Sequence, residues 1–256
     1  MNGSQHPTQG SADPLPQGRS TEDERLLQSS MGLEQWSMDS WRVFRIMGEF
    51  VEGFEEMAKI GTAVSVFGSA RTKHDDPMYE ACVETSRQLG NSGFSIITGG
   101  GPGIMEAANK GARLARAPSV GCNIELPFEQ SSNGFLDVSV DFRYFFVRKT
   151  MFVKYACAFV IFPGGFGTMD ELFESLTLIQ TGKVSDFPIV LFGSSYWGGL
   201  LDWIHETMLG SGKISEGDLD LLLVTDDPEE ATAHIVGRHE AHLSDCASRS
   251  DAVKKG

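Results

Sequence analysis

The chain has 256 residues, 41% of them hydrophobic, which suits one full domain with trimmings and not two complete domains. Its 21 Lys and Arg against 35 Asp and Glu leave a net charge of −14, and repulsion of that sign argues against general binding to nucleic acid. No run reaches the roughly 18 apolar residues that cross a bilayer, the first twenty residues lack the apolar stretch of a signal peptide, and Cys82, Cys122, Cys157 and Cys246 have neither disulfide-framework nor zinc spacing, so the expectation is a cytoplasmic protein with reduced thiols and no membrane contact.

Composition then divides the chain. Residues 1–35 are rich in Ser, Gly, Pro, Gln and charge, and read as a disordered tail that cannot bury enough apolar surface to offset the entropy of ordering. Across 36–60, Trp41, Phe44, Met47, Val51, Phe54 and Met57 recur at three- and four-residue steps, the stripe of an amphipathic helix that packs on the main domain or on a second subunit. From residue 61, short apolar runs alternate with helical patterns. The order is TAVSVFG, a helix over 77–90, FSIITGGG, a helix over 103–115, SVGCNIEL, DVSVDF, a helix over 145–156, AFVIF, a helix over 167–180, PIVLF, a helix over 196–209 and LDLLLVT. This alternation predicts one α/β domain over 61–235, a parallel sheet with helices on its faces. Residues 236–256 turn polar and read as a second loose tail.

Ligands of open α/β sheets sit at the carboxyl ends of the strands, so the strand-to-helix turns are the candidate binding elements. The first, with Gly68, Ser69 and Arg71, is small enough for backbone N–H groups to approach an anion, although an ordinary Gly-Ser turn explains it equally. The second runs Gly99-Gly100-Gly101-Pro102-Gly103-Ile104-Met105 and offers a helix N-terminus to a phosphate. It fails the dinucleotide pattern, which needs glycine where Ile104 or Glu106 stands, and no Gly-Lys-Ser/Thr follows as in a P-loop. The third is Pro163-Gly164-Gly165-Phe166-Gly167-Thr168-Met169-Asp170-Glu171, a second phosphate cradle with Thr168 as cap and with carboxylates beside it. Arg143, Arg148, Lys149 and Lys154 form a basic island within 141–154.

These motifs, in this order, closely resemble the Lonely guy (LOG) family of cytokinin-activating phosphoribohydrolases, older members of which carry the label lysine decarboxylase. The resemblance covers 61–235 and implies a Rossmann-like fold, a homodimer or larger assembly, and hydrolysis of N6-substituted or plain adenosine 5′-monophosphates to a free base and ribose 5-phosphate, with no cofactor and no metal. It assigns the catalytic roles to Arg148 and Glu171. It assigns phosphate binding to Gly164, Gly165, Gly167 and Thr168, with Glu129 and Thr177 as weaker matches lining the pocket. Phe166, Met169 and Asp170 of the same loop, and Gly68, Ser69, Gly100, Gly101, Gly103, Met105 and Lys149 from the other segments, complete the expected substrate-binding set on the reading of the turns themselves. Phe146 stands where many members have His, and Glu106 where they have Gly, which bears on base preference.

The chemistry expected of these residues is stabilisation of an oxocarbenium-like sugar by an ionised Glu171, held by Arg148, while the turn at 164–168 and Lys149 bind the 5′-phosphate. A helix N-terminus would favour the ionised form. The rival reading is a non-catalytic carrier or sensor of a nucleotide or molybdenum cofactor, which would need the cradle and not the Arg–Glu pair. A decarboxylase would need a pyridoxal-phosphate lysine in a cofactor pocket, and no lysine has that context. His234, His239 and His242 lack zinc spacing.

Overall fold

The computed structural model describes residues 21–27, 33–126, 132–184, 187–220 and 222–253. Seven parallel strands form one sheet in the order β4-β3-β2-β1-β5-β6-β7: β1 (Ala63–Phe67), β2 (Ser95–Thr98), β3 (Ser119–Ile124), β4 (Val138–Phe142), β5 (Ala156–Ile161), β6 (Ile189–Phe192) and β7 (Leu222–Thr225). The linking helices are α3 (Pro77–Asn91), α4 (Ile104–Leu114), α5 (Phe145–Tyr155), α6 (Phe166–Gln180) and α7 (Ser194–Trp203), with α1 (Glu22–Leu27) and α2 (Leu33–Met57) before the sheet and α8 (Pro228–Val253) after it. This is a Rossmann-like α/β fold.

Every residue of β1 is buried, as a central parallel strand covered on both faces requires. Alternation along it feeds two cores. Ala63 and Phe67 join Phe152, Phe159 and Trp197 on one face, while Val64 and Val66 join Tyr79, Leu89, Ile96 and Phe162 on the other. From β1 the chain steps outward to β2, β3 and β4, then returns to place β5 on the other side of β1. The loops after β1 and β5 therefore diverge, and the gap between them is the switch point at which such sheets hold ligands.

Two segments differ from the sequence reading. Residues 22–27, inside the expected disordered tail, form α1: Thr21 Oγ1 accepts the N–H of Glu24 at 3.1 Å, and the acids of this turn meet α5 far along the chain. Such long-range partners leave no trace in local composition. Residues 236–253, expected as a loose tail, continue α8. His239 stacks edge-on to Phe94 at 5.3 Å, and residues 240–248 form a mostly exposed stretch whose polarity all round hides its periodicity. Among the described residues no helix is long and apolar enough to cross a membrane.

Candidate active site

Backbone bonds tie the two central loops together. The amide of Ser69, after β1, donates to the carbonyl of Pro163, after β5, at 3.0 Å, and the amide of Ile104, opening α4, donates to the carbonyl of Ser69 at 3.1 Å. Asn133 clamps the glycine turn from the far side: its amide nitrogen donates to the carbonyls of Gly100 and Gly101 at 3.1 and 3.0 Å. Gly100, at φ 75°, adopts a left-handed conformation open to glycine and costly for other residues.

Between these loops lies a cleft of about 700 Å³. Gly68, Ser69, Gly100, Gly101, Met105, Arg148, Gly165, Phe166, Gly167, Thr168 and Glu171 line it, so the structure brings most of the sequence-selected residues to one place. The first turns of α4 (Met105), α5 (Phe145, Arg148) and α6 (Phe166 to Thr168) all face it. Each helix start carries a fraction of positive charge on its free N–H groups, and Arg71 and Arg148 add two full charges. In a chain of net charge −14, this concavity gathers positive charge from two arginines and three helix starts.

Arg148 enters from α5 half-buried at the cleft wall. Its Nε donates to the carbonyl of Cys122 at 2.7 Å and one terminal nitrogen to the carbonyl of Gly99 at 3.4 Å, while its Cζ lies 5.2 Å from the ring centre of Phe152. Burial lowers its pKa from the ordinary arginine value, yet a guanidinium stays charged across the physiological range. A side chain on Gly99 would strike Arg148 directly and Met105 Sδ at 2.7 Å, so glycine there is a requirement of the guanidinium's position.

Glu171 enters from α6 and is only 8% exposed. Its Oε2 is buried with no hydrogen-bond partner, and it makes no ion pair with Arg148. Burial pushes its carboxyl up to about 7, against the downward pull of the Lys149 and Arg148 charges. The expectation of a fully ionised carboxylate held by Arg148 is thus corrected on both counts. The physical reason is where the helix begins: α6 opens at Phe166 with Gly165 as N-cap, so Glu171 sits in the second turn, beyond the reach of the dipole and inside the protein. Thr168 likewise is not the cap, since no side chain caps α6.

Other expected site residues stand outside the cleft lining. Lys149, expected on phosphate, places Nζ 2.9 Å from both Asp170 Oδ1 and Glu174 Oε2. It thereby links the helix of Arg148 to that of Glu171 and accounts for Asp170 as well. Met169 packs toward the core. Thr177 donates to the carbonyl of Phe173 at 2.7 Å within its own helix. Gly103 lies behind the turn, where a Cβ would meet Ser69 and Ala70, and Gly164 supports Thr168 from behind. Glu129 lies outside the described residues. Phe67, Asn123, Ile124, Leu126, Ser132, Phe145 and Phe152 also line the cleft. They come from strand ends, neighbouring turns and, for Phe145 and Phe152, from α5; their residue types carry no chemical signature, and only the topology brings them there.

A sequence model of the family described as "possible lysine decarboxylase" matches residues 105–235, just over half of the chain. Among curated relatives, the cytokinin riboside 5′-monophosphate phosphoribohydrolase of Mycobacterium tuberculosis is 28% identical over 173 residues, covering 66% of this chain and 90% of its own. The pyrimidine/purine nucleotide 5′-monophosphate nucleosidase of Escherichia coli is 31% identical over 116 residues, covering 41% of this chain and 26% of its own. Among solved structures, TM1055 superposes with a TM-score of 0.54 at 24% identity, covering 68% of this chain and 98% of its own. The molybdenum cofactor carrier protein of Chlamydomonas reinhardtii superposes with a TM-score of 0.51 at 19% identity, covering 70% and 99%, and both likenesses are of fold alone. With its glycine turn, Arg148 and the loop ending in Glu171 arranged around one cleft, the chain belongs to the LOG family, the group described as possible lysine decarboxylases.

Proposed function

We propose that this protein hydrolyses the N-glycosidic bond of nucleoside 5′-monophosphates, adenosine-type and N6-substituted ones foremost, releasing a free base and ribose 5-phosphate. The observation that carries the reading is the buried, unpartnered Oε2 of Glu171 in the same cleft as Arg148 and the first turn of α6. A carrier gains nothing from burying a carboxylate without a partner beside an anion site, because the desolvation and repulsion both weaken binding. A glycosidic hydrolase does gain. Its transition state places positive charge on the sugar, and a carboxylate already stripped of water stabilises that charge strongly.

The 5′-phosphate occupies the N-terminal turn of α6, where Gly165 and Gly167 leave open space above the backbone. Its binding energy sets the anomeric carbon near Glu171. As the bond from carbon to base nitrogen breaks, the ionised Glu171 faces the growing cation and takes a proton from the attacking water, whose oxygen joins the anomeric carbon. The base leaves with the bonding electron pair and takes a proton from solvent, to which Glu171 returns the one it took, so that one water is consumed overall. Arg148, fixed through Cys122 and Gly99, holds its positive charge where it lowers the pKa of Glu171 and engages sugar hydroxyls with its remaining N–H groups. The names of the relatives support this class of reaction.

The outward face of α2, with Trp41, Phe44, Met47 and Val51 more than half exposed, is the surface on which we place a homo-oligomer contact.

Purified protein incubated with AMP and with isopentenyladenosine monophosphate tests the reaction. Free base and ribose 5-phosphate in equal amounts are expected by chromatography. Nucleotide that binds and remains intact would move the assignment to a carrier.

A further inference from the structure

Helix α5, which delivers Arg148, begins after Tyr144 with no side-chain cap of its own and no acid in its first turn. The missing acceptors come from the N-terminal helices. Glu49 of α2 is buried at 6% exposure, and its carboxylate accepts the amide of Arg143 at 3.2 and 3.1 Å and that of Tyr144 at 3.3 Å. Asp23 of α1 accepts the amide of Phe145 at 3.1 Å, and Glu22 accepts the Tyr144 hydroxyl at 3.3 Å. The two helices are seated closely. A Cβ at Gly53, one turn beyond Glu49, would meet Met151 Cε of α5 at 2.8 Å and Phe142 Cε1 at 3.1 Å. The Tyr155 hydroxyl at the end of α5 donates to the carbonyl of Phe54 at 3.1 Å.

We propose that Glu49 is a positioning residue for Arg148: from α2 it holds the amide of Arg143 and that of the N-cap residue Tyr144, pinning the chain where it enters α5 and so fixing the direction from which the guanidinium enters the cleft. Free N–H groups at a helix start fray it unless acceptors hold them, and a carboxylate there is also favoured by the helix dipole. Arg148 lies one turn into α5, so a start that shifts carries the guanidinium away from the Cys122 and Gly99 carbonyls. The N-terminal helices thus act on the site without touching substrate. The kinetic part of this inference rests on the hydrolase reading above.

The test measures base release from AMP by the full-length wild type, Glu49→Ala and Glu49→Gln, with amide hydrogen exchange over 143–148 on the same samples. Glu49→Ala is expected to lower kcat about tenfold or more while KM stays within about threefold, because misplacement and not lost binding is the defect. Exchange at 143–148 is expected to quicken with strand protection intact. Glu49→Gln, which keeps an acceptor oxygen, is expected to restore most of both. Wild-type kcat in Glu49→Ala, or unchanged exchange at 143–148, overturns the proposal. Should Glu49→Ala lose strand protection as well, Glu49→Asp, one methylene too short, takes its place with the same expectations, and its wild-type kcat overturns the proposal. Should the wild type release no base, the hydrolase reading fails instead, and exchange at 143–148 alone decides whether Glu49 holds the helix.

Discussion

Arg148 and Glu171 face one cleft from two different helices without forming an ion pair. Glu171 is buried and Arg148 half-buried, each shifts the other's proton affinity through space, and neither satisfies the other. A pair locked at hydrogen-bond distance would neutralise both groups in the ground state. Held apart, both groups stay open to a ligand, and in the proposed reaction this is the condition under which preorganised groups favour a transition state over the free enzyme.

The pH dependence of turnover follows from Glu171. In the proposed mechanism its ionised form is the reactive one, and burial raises its carboxyl to about 7. For the wild type, kcat/KM for AMP is expected to rise about tenfold per pH unit below 7 and to level off above it. A profile flat from pH 5 to 8 would detach the rate from this carboxylate.

Stability carries the opposite sign. A carboxyl whose folded pKa of about 7 exceeds its ordinary value of 4.5 holds its proton more tightly folded than unfolded, so its contribution is full below 4.5 and is lost as pH rises through 7. Glu171→Gln, which cannot ionise, is expected to be about 1–3 kcal/mol more stable than wild type at pH 8 and nearly equal to it at pH 4. Thermal or denaturant unfolding at the two pH values reads this directly.

Lys149 is expected to act on Glu171 and not on phosphate. Lys149→Met removes the charge that opposes the burial of Glu171 and leaves Asp170 and Glu174 nearby without their partner. The acid limb of the kcat/KM profile should move to higher pH while KM for AMP at pH 8.5 changes by less than about threefold. A large rise in KM with an unmoved limb would restore the phosphate role.

The glycines of the third loop separate folding from binding. A Cβ on Gly165 or Gly167 meets nothing within 4 Å, so Gly165→Ala is expected to fold with wild-type stability and yet to raise KM for nucleotide about tenfold, because the space it fills is where the phosphate approaches. Gly164 is different: a Cβ there runs into Thr168 Oγ1 and lies 2.7 Å from Thr168 Cβ, so Gly164→Ala should lower the melting temperature as well. Equal stability for both variants would contradict this division.

Much of this architecture is legible in the sequence, and for stated reasons. β1 and β5 read as continuous apolar runs because both faces of a parallel sheet are covered, and the glycine turns mark the strand-to-helix junctions where ligands gather. The register of α6 is harder to read. Thr168 followed by acids looks like a helix cap, whereas Gly165, three residues earlier, holds that position and the helix carries Glu171 into the interior, which reverses the expected effect on its pKa. The roles of Lys149 and Glu49 were equally hidden, since Asp170 and Glu174 lie on another helix and the amides that Glu49 caps are more than 90 residues away. Contacts of that separation are made by topology, and local residue patterns do not encode them.

The most direct measurement compares wild type and Glu171→Gln for base release from AMP, with AMP affinity determined by calorimetry on the same preparations. Base release is expected to fall about 10²–10⁴-fold in the variant while affinity stays equal or improves, since a neutral amide removes repulsion from the bound phosphate. Undiminished release by Glu171→Gln would contradict the assignment of Glu171 as the group on which the chemistry turns.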